Sequence, residues 1–533
     1  MNSIGRASIL IAAGTVLSRL TGFLRTVVLV SAVGAIGSRA GDAFATANQL
    51  PNNIFAIIST GILTAVLVPQ IVRASADPDQ GRAFVSKLFT LGAVVLLGTT
   101  AVAMIAAPWL VTLYSPEFDS DQLALATAFA YWCLPQILFY GLYALLGETL
   151  NARRIFGPFT WAPIVNNVVS IAGFGVFIAL FGGPVESVAR WTPDMTALLG
   201  GTATLGIVVQ ALVLLLYWRR TGLHLRPDFR WRGVGLGQVG RLAGWTFLMV
   251  VAGQLAGLVQ SRVLSAASGH GPATFAMQNA WLLFMLPYSI IVLSIGTPYF
   301  TRLSEHAAAG RDDDVRGDVA SSIRILGLFV VVSTAALAVA AVPASRIFTN
   351  SAADAVAAAW VLVAFLVSLL PLAVLFVVQR TFYAYDDTRT PFLFTLLQTA
   401  LVVGTALVAA AVLPVELLAA GVALGQSFAT VVQVIVATWL LERRIGGLRV
   451  RAWLASLGRF AIAAVPAGLA GWGVFLLLGG VGGWTASDKV LGALGAAIIG
   501  IVCVVVYLVV LVLLRAPELR PAIAALRRGI GRS

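Results

Sequence analysis

The sequence predicts an all-α integral membrane protein with about 14 transmembrane helices. Its composition is the first reason, because 59% of its 533 residues are hydrophobic and only 11% are charged. A soluble protein of this length needs more charge to cover its surface. The second reason is that apolar stretches of roughly 18 or more residues recur along the chain, each long enough to cross a bilayer. These stretches are continuous rather than alternating, which indicates helices.

The predicted spans follow one another with short polar connections. In chain order they are 8–32, 43–72, 88–114, 122–148, 158–182, 196–217, 238–265, 273–300, 320–345, 355–379, 391–414, 417–441, 455–480 and 487–514. The first segment runs past residue 30 with no small-residue cleavage site, so we expect a helix there rather than a removable signal.

The positions of the basic residues support this number of spans. If the N-terminus is cytoplasmic, the basic residues of the outer connections are only Arg39, Arg190, Arg346 and Lys489, and nearly all others lie inside. This asymmetry follows the positive-inside rule, and it predicts that both termini face the cytoplasm. It also explains the net charge of +13 without a nucleic-acid partner.

The two halves of the chain resemble each other at an offset of about 230 residues. The matching segments are 44–48 with 275–279, Pro69 and Arg73 with Pro298 and Arg302, and 148–152 with 380–384. Six helices in each half make the halves parallel repeats, an arrangement typical of transporters that work by alternating access. The sequence thus predicts lobes at 1–222 and 236–442, a helix pair at 455–515 and a basic cytoplasmic tail at 516–533.

Charged residues within spans are the candidate site. Arg19 and Arg25 lie in the first span, where a charge costs about 2.5–3.5 kcal/mol and should face a wet cavity or a partner. Guanidinium groups suit phosphate, which they bind through two hydrogen bonds. Arg262 is a candidate third cation, or a residue of the outer interface. Asp42 opens the second span, where helix-dipole stabilisation accounts for it and pairing with Arg39 or a cavity arginine is the alternative.

Other charged residues lie at the ends of spans. Glu148 and Arg153 suggest a cytoplasmic salt bridge, and Asp387 beside Arg389 suggests a gate or hinge contact. The histidines and the two cysteines have no metal-ligand spacing, and no nucleotide-binding loop occurs. We therefore expect no metal and no cofactor, apart from a coupling ion of unknown identity.

Several of these motifs resemble those of the MurJ (MviN) lipid II flippases, a family of the multidrug/oligosaccharidyl-lipid/polysaccharide (MOP) exporter superfamily. They are Ser-Arg-Leu-Thr-Gly-Phe-Leu-Arg at 18–25, Asp-Ala-Phe at 42–44, Leu-Pro-Asn at 50–52, Val-Pro at 68–69 and Asp-Thr-Arg-Thr-Pro at 387–391. The resemblance covers essentially the whole chain.

The resemblance implies a two-lobed fold around a cationic cavity containing Arg19, Arg25 and Asp42. It implies that the partner is lipid II, whose head group crosses through the cavity while its tail lies against the last two helices, and that cell-wall synthesis proteins are further partners. This sequence departs from the family pattern at Thr26, where an acid is common. It also departs at Phe55 and Ala56, where some members carry arginines, and near Leu282, where a second-lobe arginine is expected.

Other functions remain open at this point. One alternative is a flippase for another polyprenyl-diphosphate glycan, and another is a drug or ion antiporter of the same superfamily, although antiporters favour acidic rather than basic cavities. A membrane-embedded enzyme would need acids or histidines at the membrane face, and no convincing set occurs. A passive scaffold would tolerate loss of Arg25.

Overall fold

The computed structural model describes residues 3–34, 36–59, 79, 81–153, 155, 157–230 and 236–519, and for residues 3–12 and 236–243 it describes the backbone alone. All regular structure in these ranges is helical, as the composition predicts. The chain divides into two compact units, Met1–Phe275 and Ala276–Ser533.

The helices of the first unit are separated by short turns. They are α1 (Ser3–Val33), α2 (Arg39–Ile58), α3 (Arg82–Ile105), α4 (Ala107–Tyr114), α5 (Ser120–Cys133), α6 (Gln136–Ala152), α7 (Gly157–Phe181), α8 (Pro193–Trp218) and α9 (Leu236–Ser265).

The second unit continues the all-helical pattern. Its helices are α10 (Thr274–Pro287), α11 (Ser294–Ala308), α12 (Asp312–Val339), α13 (Ala341–Arg346), α14 (Ala352–Leu366), α15 (Leu369–Ala384), α16 (Arg389–Val412), α17 (Leu418–Ile445), α18 (Val450–Leu477) and α19 (Lys489–Leu513). A π-helical stretch, Tyr288–Leu293, connects α10 with α11 directly after Pro287.

The described residues contain 13 helices that are long and apolar enough to cross a membrane. The protein is therefore a multi-pass membrane protein. The predicted total of 14 is not confirmed, because the span predicted at 43–72 extends beyond α2 into residues outside the described ranges.

The compact units differ from the predicted lobes at one helix. The repeat assigned residues 236–442 to the second lobe, whereas α9 belongs to the compact unit that ends at Phe275. A compact unit reflects which helices pack together, whereas the repeat reflects internal symmetry, so the two boundaries need not coincide. The lobe boundaries drawn from the repeat stay a prediction.

Interruptions of helices recur at equivalent positions of the two halves. Ala106 separates α3 from α4, and Ala340 separates α12 from α13. Residues 134–135 separate α5 from α6, and residues 367–368 separate α14 from α15. Pro135 explains the break between α5 and α6, because proline has no amide hydrogen to donate. The recurrence at about 230 residues extends the sequence repeat to helix geometry.

Helices of the first unit approach closely at small residues. In this unit α7 packs against both α1 and α8. A Cβ atom at Gly173 would overlap the Thr202 side chain, and one at Gly206 would overlap Asn166. Small residues let membrane helices approach where no hydrophobic driving force exists between them, and here they bring α8 against α7.

The two C-terminal helices pack on the second unit. Both α18 and α19 contact α12 and each other. The buried Tyr507 hydroxyl donates to the Leu328 carbonyl over 2.9 Å. A Cβ at Gly471 would overlap Cys503, which is a free and buried cysteine. Cys503 thus serves as a small apolar residue, as predicted.

A buried arginine fixes the connection between α18 and α19. Arg346 is only 7% exposed, and its Nε and Nη2 atoms each donate over 2.8 Å, to the carbonyls of Ala486 and Ser487. Its Nη1 atom donates to the Thr349 carbonyl. Backbone carbonyls without a water partner need such donors, so Arg346 has a structural role.

We expect Arg346→Gln to destabilise the protein by about 2 kcal/mol or more, because the shorter amide leaves carbonyls unpaired. The measurement is the thermal unfolding midpoint of purified protein in detergent. Arg190→Gln, which changes an exposed arginine, is the control. Equal midpoints for the two variants would contradict the structural role.

Candidate functional site

The first helix carries both predicted cavity cations. Within α1, Arg19 is exposed and Arg25 is half-buried. In the part of the chain that the structure describes, neither guanidinium forms an ion pair with a carboxylate. An uncompensated charge in a membrane helix marks a functional site by default, and Arg25 is the more enclosed of the two.

An asparagine on α7 fixes the rotation of α1. The Nδ2 atom of Asn167 donates to the Ser18 carbonyl over 3.1 Å and to Thr21 Oγ1 over 2.9 Å. Asn167 is itself buried. Ser18, Thr21 and Arg25 follow the spacing of one helix face, from which Arg19 is turned by about 100°. The Ser-Arg-Leu-Thr-Gly motif therefore seats α1 on α7 and determines where both cations point.

Arg25 adjoins a group of hydrogen-bonding side chains that we call the polar row: Asn48, Gln136, Tyr140 and Thr204. Arg25 interacts electrostatically with Tyr140, whose hydroxyl donates to Gln136 Oε1 over 3.4 Å. Gln136 Nε2 donates to Asn48 Oδ1 over 3.2 Å and to Thr204 Oγ1 over 3.0 Å. Three helices, α2, α6 and α8, thus contribute polar atoms to the row, and Tyr140 on α6 is its member nearest in electrostatic terms to Arg25.

The departures from the family pattern have distinct structural consequences. Phe55 stacks on Tyr140, with ring centroids 5.8 Å apart, so an aromatic ring covers the polar row where other members carry arginine. Thr26 uses its hydroxyl within α1, donating to the Gly22 carbonyl over 3.1 Å. Ala56 and Leu282 contribute no charge. At these positions the chain therefore carries fewer charged side chains than the family pattern implies.

Asp42 is occupied by neighbours at the start of α2. Its side chain is 1% exposed, and its two oxygens accept from the Phe275 amide over 2.9 Å and from Ser268 Oγ over 2.8 Å. Gln122 Nε2 donates to Ser268 Oγ and to the Arg39 carbonyl, both over 2.8 Å. The predicted pairing of Asp42 with Arg39 is not formed, because Arg39 pairs with Asp119 instead.

Arg262 lies at the end of α9 and is exposed. Its Nη1 atom donates to the Leu113 carbonyl over 3.0 Å, at the C-terminal end of α4. A cation there complements the helix dipole. Both predicted roles of Arg262, a third cavity cation and a residue of the outer interface, stay predictions.

The gate candidates occupy helix ends. Asp387 accepts from the Thr390 amide over 3.0 Å and the Thr390 hydroxyl over 2.8 Å, and it pairs with Arg444 rather than with the neighbouring Arg389. It thereby caps α16 and ties it to the end of α17. In the first unit, Glu148 interacts electrostatically with Tyr143, and Arg153 is the C-cap residue that follows α6. Their gating role stays a prediction.

The basic connection after α8 runs along α3. The Asp228 amide donates to Thr90 Oγ1 over 2.9 Å. Two side-chain hydrogen bonds from Arg230, each 3.0 Å long, hold the pKa of Asp228 at about 2. Asp228 therefore stays ionised at neutral pH and is unsuited to carry a coupling proton. No cluster of metal-ligating side chains occurs among the described residues.

A family model described as "Lipid II flippase MurJ" matches residues 30–483. The chain belongs to the MurJ lipid II flippase family. A Haemophilus influenzae relative named "Probable lipid II flippase MurJ" is 26% identical over 402 residues, 71% of this chain and 75% of the relative. A relative of the same name from Synechocystis is 25% identical over 88% of this chain and 87% of its own length.

Solved structures agree on the fold. A structure titled "Lipid II flippase MurJ, inward closed conformation" matches with a TM-score of 0.74 at 17% identity, covering 96% of this chain and all of that one. A structure of an outward-facing MATE family multidrug transporter of the MOP superfamily matches with a TM-score of 0.59 at 16% identity, over 83% of this chain and 96% of that one. By these scores the fold of this chain resembles that of MurJ more closely than that of the MATE transporter.

Sequence reasoning missed the uncharged residues of the site. Asn167, Gln136 and Tyr140 lie in apolar spans where single polar residues are common, and no local pattern distinguishes them. The one available signal was position, because Gln136 directly follows Pro135 at the interruption between α5 and α6.

Substitutions at Asp42 distinguish a structural role from a coupling role. We expect Asp42→Ala to lower stability by about 2–4 kcal/mol, because it removes the acceptor of two buried hydrogen bonds. Asp42→Asn keeps one carboxamide oxygen and should remain close to wild type. The measurements are the unfolding midpoint and transport, with exposed Asp194→Ala as control. Equal loss of transport in both variants at wild-type stability would indicate coupling instead.

Proposed function

We propose that this chain moves lipid II, the undecaprenyl-diphosphate disaccharide-pentapeptide, from the inner to the outer leaflet by alternating access. Membership of the MurJ family supports the substrate. The single observation that carries the proposal is Arg25, a half-buried cation with no carboxylate partner among the described residues, set beside the polar row. It supplies an enclosed positive charge within an otherwise apolar stretch of α1.

The chemistry of the site matches the head group. A guanidinium binds diphosphate through paired, charge-assisted hydrogen bonds. The Asn48 amide and the hydroxyls of Tyr140 and Thr204 are partly exposed and can hydrogen-bond sugar and peptide groups, while the buried Gln136 holds these side chains in place. In this proposal Arg25 holds the diphosphate, Arg19 widens the cationic surface and the exposed members of the polar row face the head group.

The transport cycle follows from the repeat. Two similar halves support alternation between inward and outward access, and the chain contains no nucleotide-binding loop. A coupling ion or the membrane potential must therefore bias the cycle, and moving one charge through 100 mV contributes about 2.3 kcal/mol. The inner-membrane location, the cytoplasmic termini and contacts with cell-wall synthesis proteins belong to this proposal.

An antiporter function fits this site less well. A cation antiporter needs a carboxylate that can bind and release the transported cation. The buried carboxylate of α2 is Asp42. Both oxygens of Asp42 already accept hydrogen bonds. The unpaired charge of the membrane helix α1 is positive, which favours an anionic substrate.

The direct test measures how much lipid II becomes accessible on the outer face of bacteria depleted of their own flippase. We expect the wild-type chain to restore accessibility and Arg25→Ala to lose most of it, at least about tenfold, because a charge-assisted contact to diphosphate contributes about 1.5–3 kcal/mol. Arg190→Ala, at an exposed outer arginine, should behave as wild type.

The outcomes separate the claims. Restoration by both wild type and Arg25→Ala would keep the flippase and remove Arg25 from the site. Absence of restoration by well-expressed, membrane-inserted wild type would contradict lipid II transport in that host and favour another polyprenyl-diphosphate glycan.

A further inference from the structure

A groove opens in the second unit between α15, α17 and α18. Its volume is about 510 Å³, within the range of ~300–1,000 Å³ typical of ligand pockets. Its lining is almost wholly apolar and includes Pro371, Val374, Ile435, Trp439, Leu454 and Leu457. The groove belongs to one compact unit and contains none of the residues assigned to the substrate head group, and on α18, one of the two helices expected to contact the substrate tail, it includes only the first turns.

The edges of this groove face outward from the protein. Ile435 is 62% exposed, Trp439 49% and Leu454 50%. Large apolar side chains exposed on membrane-spanning helices lie against lipid tails. The groove is therefore accessible to an acyl chain of the surrounding bilayer.

Three arginines are neighbours of residues that line one end of the groove. The Arg443 guanidinium lies 3.8 Å from the centre of the Trp439 ring, a cation–π contact. Val450 lines the groove and is flanked in sequence by Arg449 and Arg451. All three arginines are exposed, and none forms an ion pair among the described residues, unlike Arg444.

The loop that carries these cations is held in place. Glu442 accepts from the amides of Gly447 over 3.1 Å and Leu448 over 2.8 Å. Arg316 Nε on α12 donates to the Ile445 carbonyl over 3.1 Å. The backbone amides thus engage the one carboxylate that lines the groove, and the arginines remain available to an external anion.

We propose that this groove binds an anionic phospholipid, with an acyl chain along α17 and α18 and the phosphate at Arg443, Arg449 and Arg451. Basic pockets between helices at the cytoplasmic side are suited to such head groups. The orientation rests on the topology of the proposed function, in which residues 442–454 face the cytoplasm. Because that function assigns the substrate diphosphate to Arg25, a second cationic head-group site calls for a second lipid.

The test is native mass spectrometry of the purified full-length protein titrated with dioleoyl phosphatidylglycerol or dioleoyl phosphatidylcholine. We expect the wild type to bind phosphatidylglycerol more tightly. The double variant Arg443→Gln/Arg451→Gln should bind it about thirtyfold more weakly, since each of the two arginines near an anionic head group contributes about 1 kcal/mol. Thr438→Trp, which fills the groove, should remove the tight site for both lipids.

Arg220→Gln is the matched control, because Arg220 also stacks on an aromatic ring, Tyr217, at a helix end but lies outside the groove. Equal weakening by this control would show diffuse surface attraction and overturn the proposal. So would equal affinities for the two lipids, or displacement of phosphatidylglycerol by purified lipid II at equimolar concentration. The readout is binding rather than transport, so its failure leaves the flippase proposal intact.

Discussion

The arrangement of the first unit depends on the cost of placing an unpaired guanidinium in a membrane helix. No carboxylate among the described residues compensates Arg25, and in the proposed function polar atoms of neighbouring helices and the substrate anion do so. Asn167 holds the face of α1 that carries Arg25, and the interruption at Pro135 brings Gln136 into the polar row. The glycines that let α8 approach α7 belong to the same arrangement, because Thr204 lies on α8.

Polar groups of the first unit fall into two classes with different consequences. Those around Asp42 satisfy one another. Ser268 and the Phe275 amide donate to the two carboxylate oxygens of Asp42, and Gln122 donates to Ser268. A network of this kind stabilises one arrangement of helix ends. Arg25, in contrast, has no complementary charge, and an anionic ligand can provide it. The first class therefore explains structure, and the second is the basis of the proposed head-group binding.

Much of the fold could be predicted from sequence, because long apolar spans and the placement of arginines depend on the bilayer rather than on tertiary detail. The cations Arg19 and Arg25 could also be found, since charge is rare in such spans. The hydrogen-bond partners of residues in this region could not be predicted from the sequence. Asn167 contacts Ser18 across 149 positions of sequence, and Asp42 meets Phe275 across 233, and neither contact leaves a local pattern. The contact of Arg262 with the Leu113 carbonyl is of the same kind.

The central claim is that Arg25 recognises a diphosphate. Its most direct test is the affinity of the purified full-length protein for undecaprenyl diphosphate and for undecaprenyl monophosphate, measured for wild type and for Arg25→Gln. The two ligands share a tail, so their difference isolates the phosphate contact. The account predicts a preference of several-fold for the diphosphate in wild type that disappears in Arg25→Gln. An unchanged preference in the variant would contradict it.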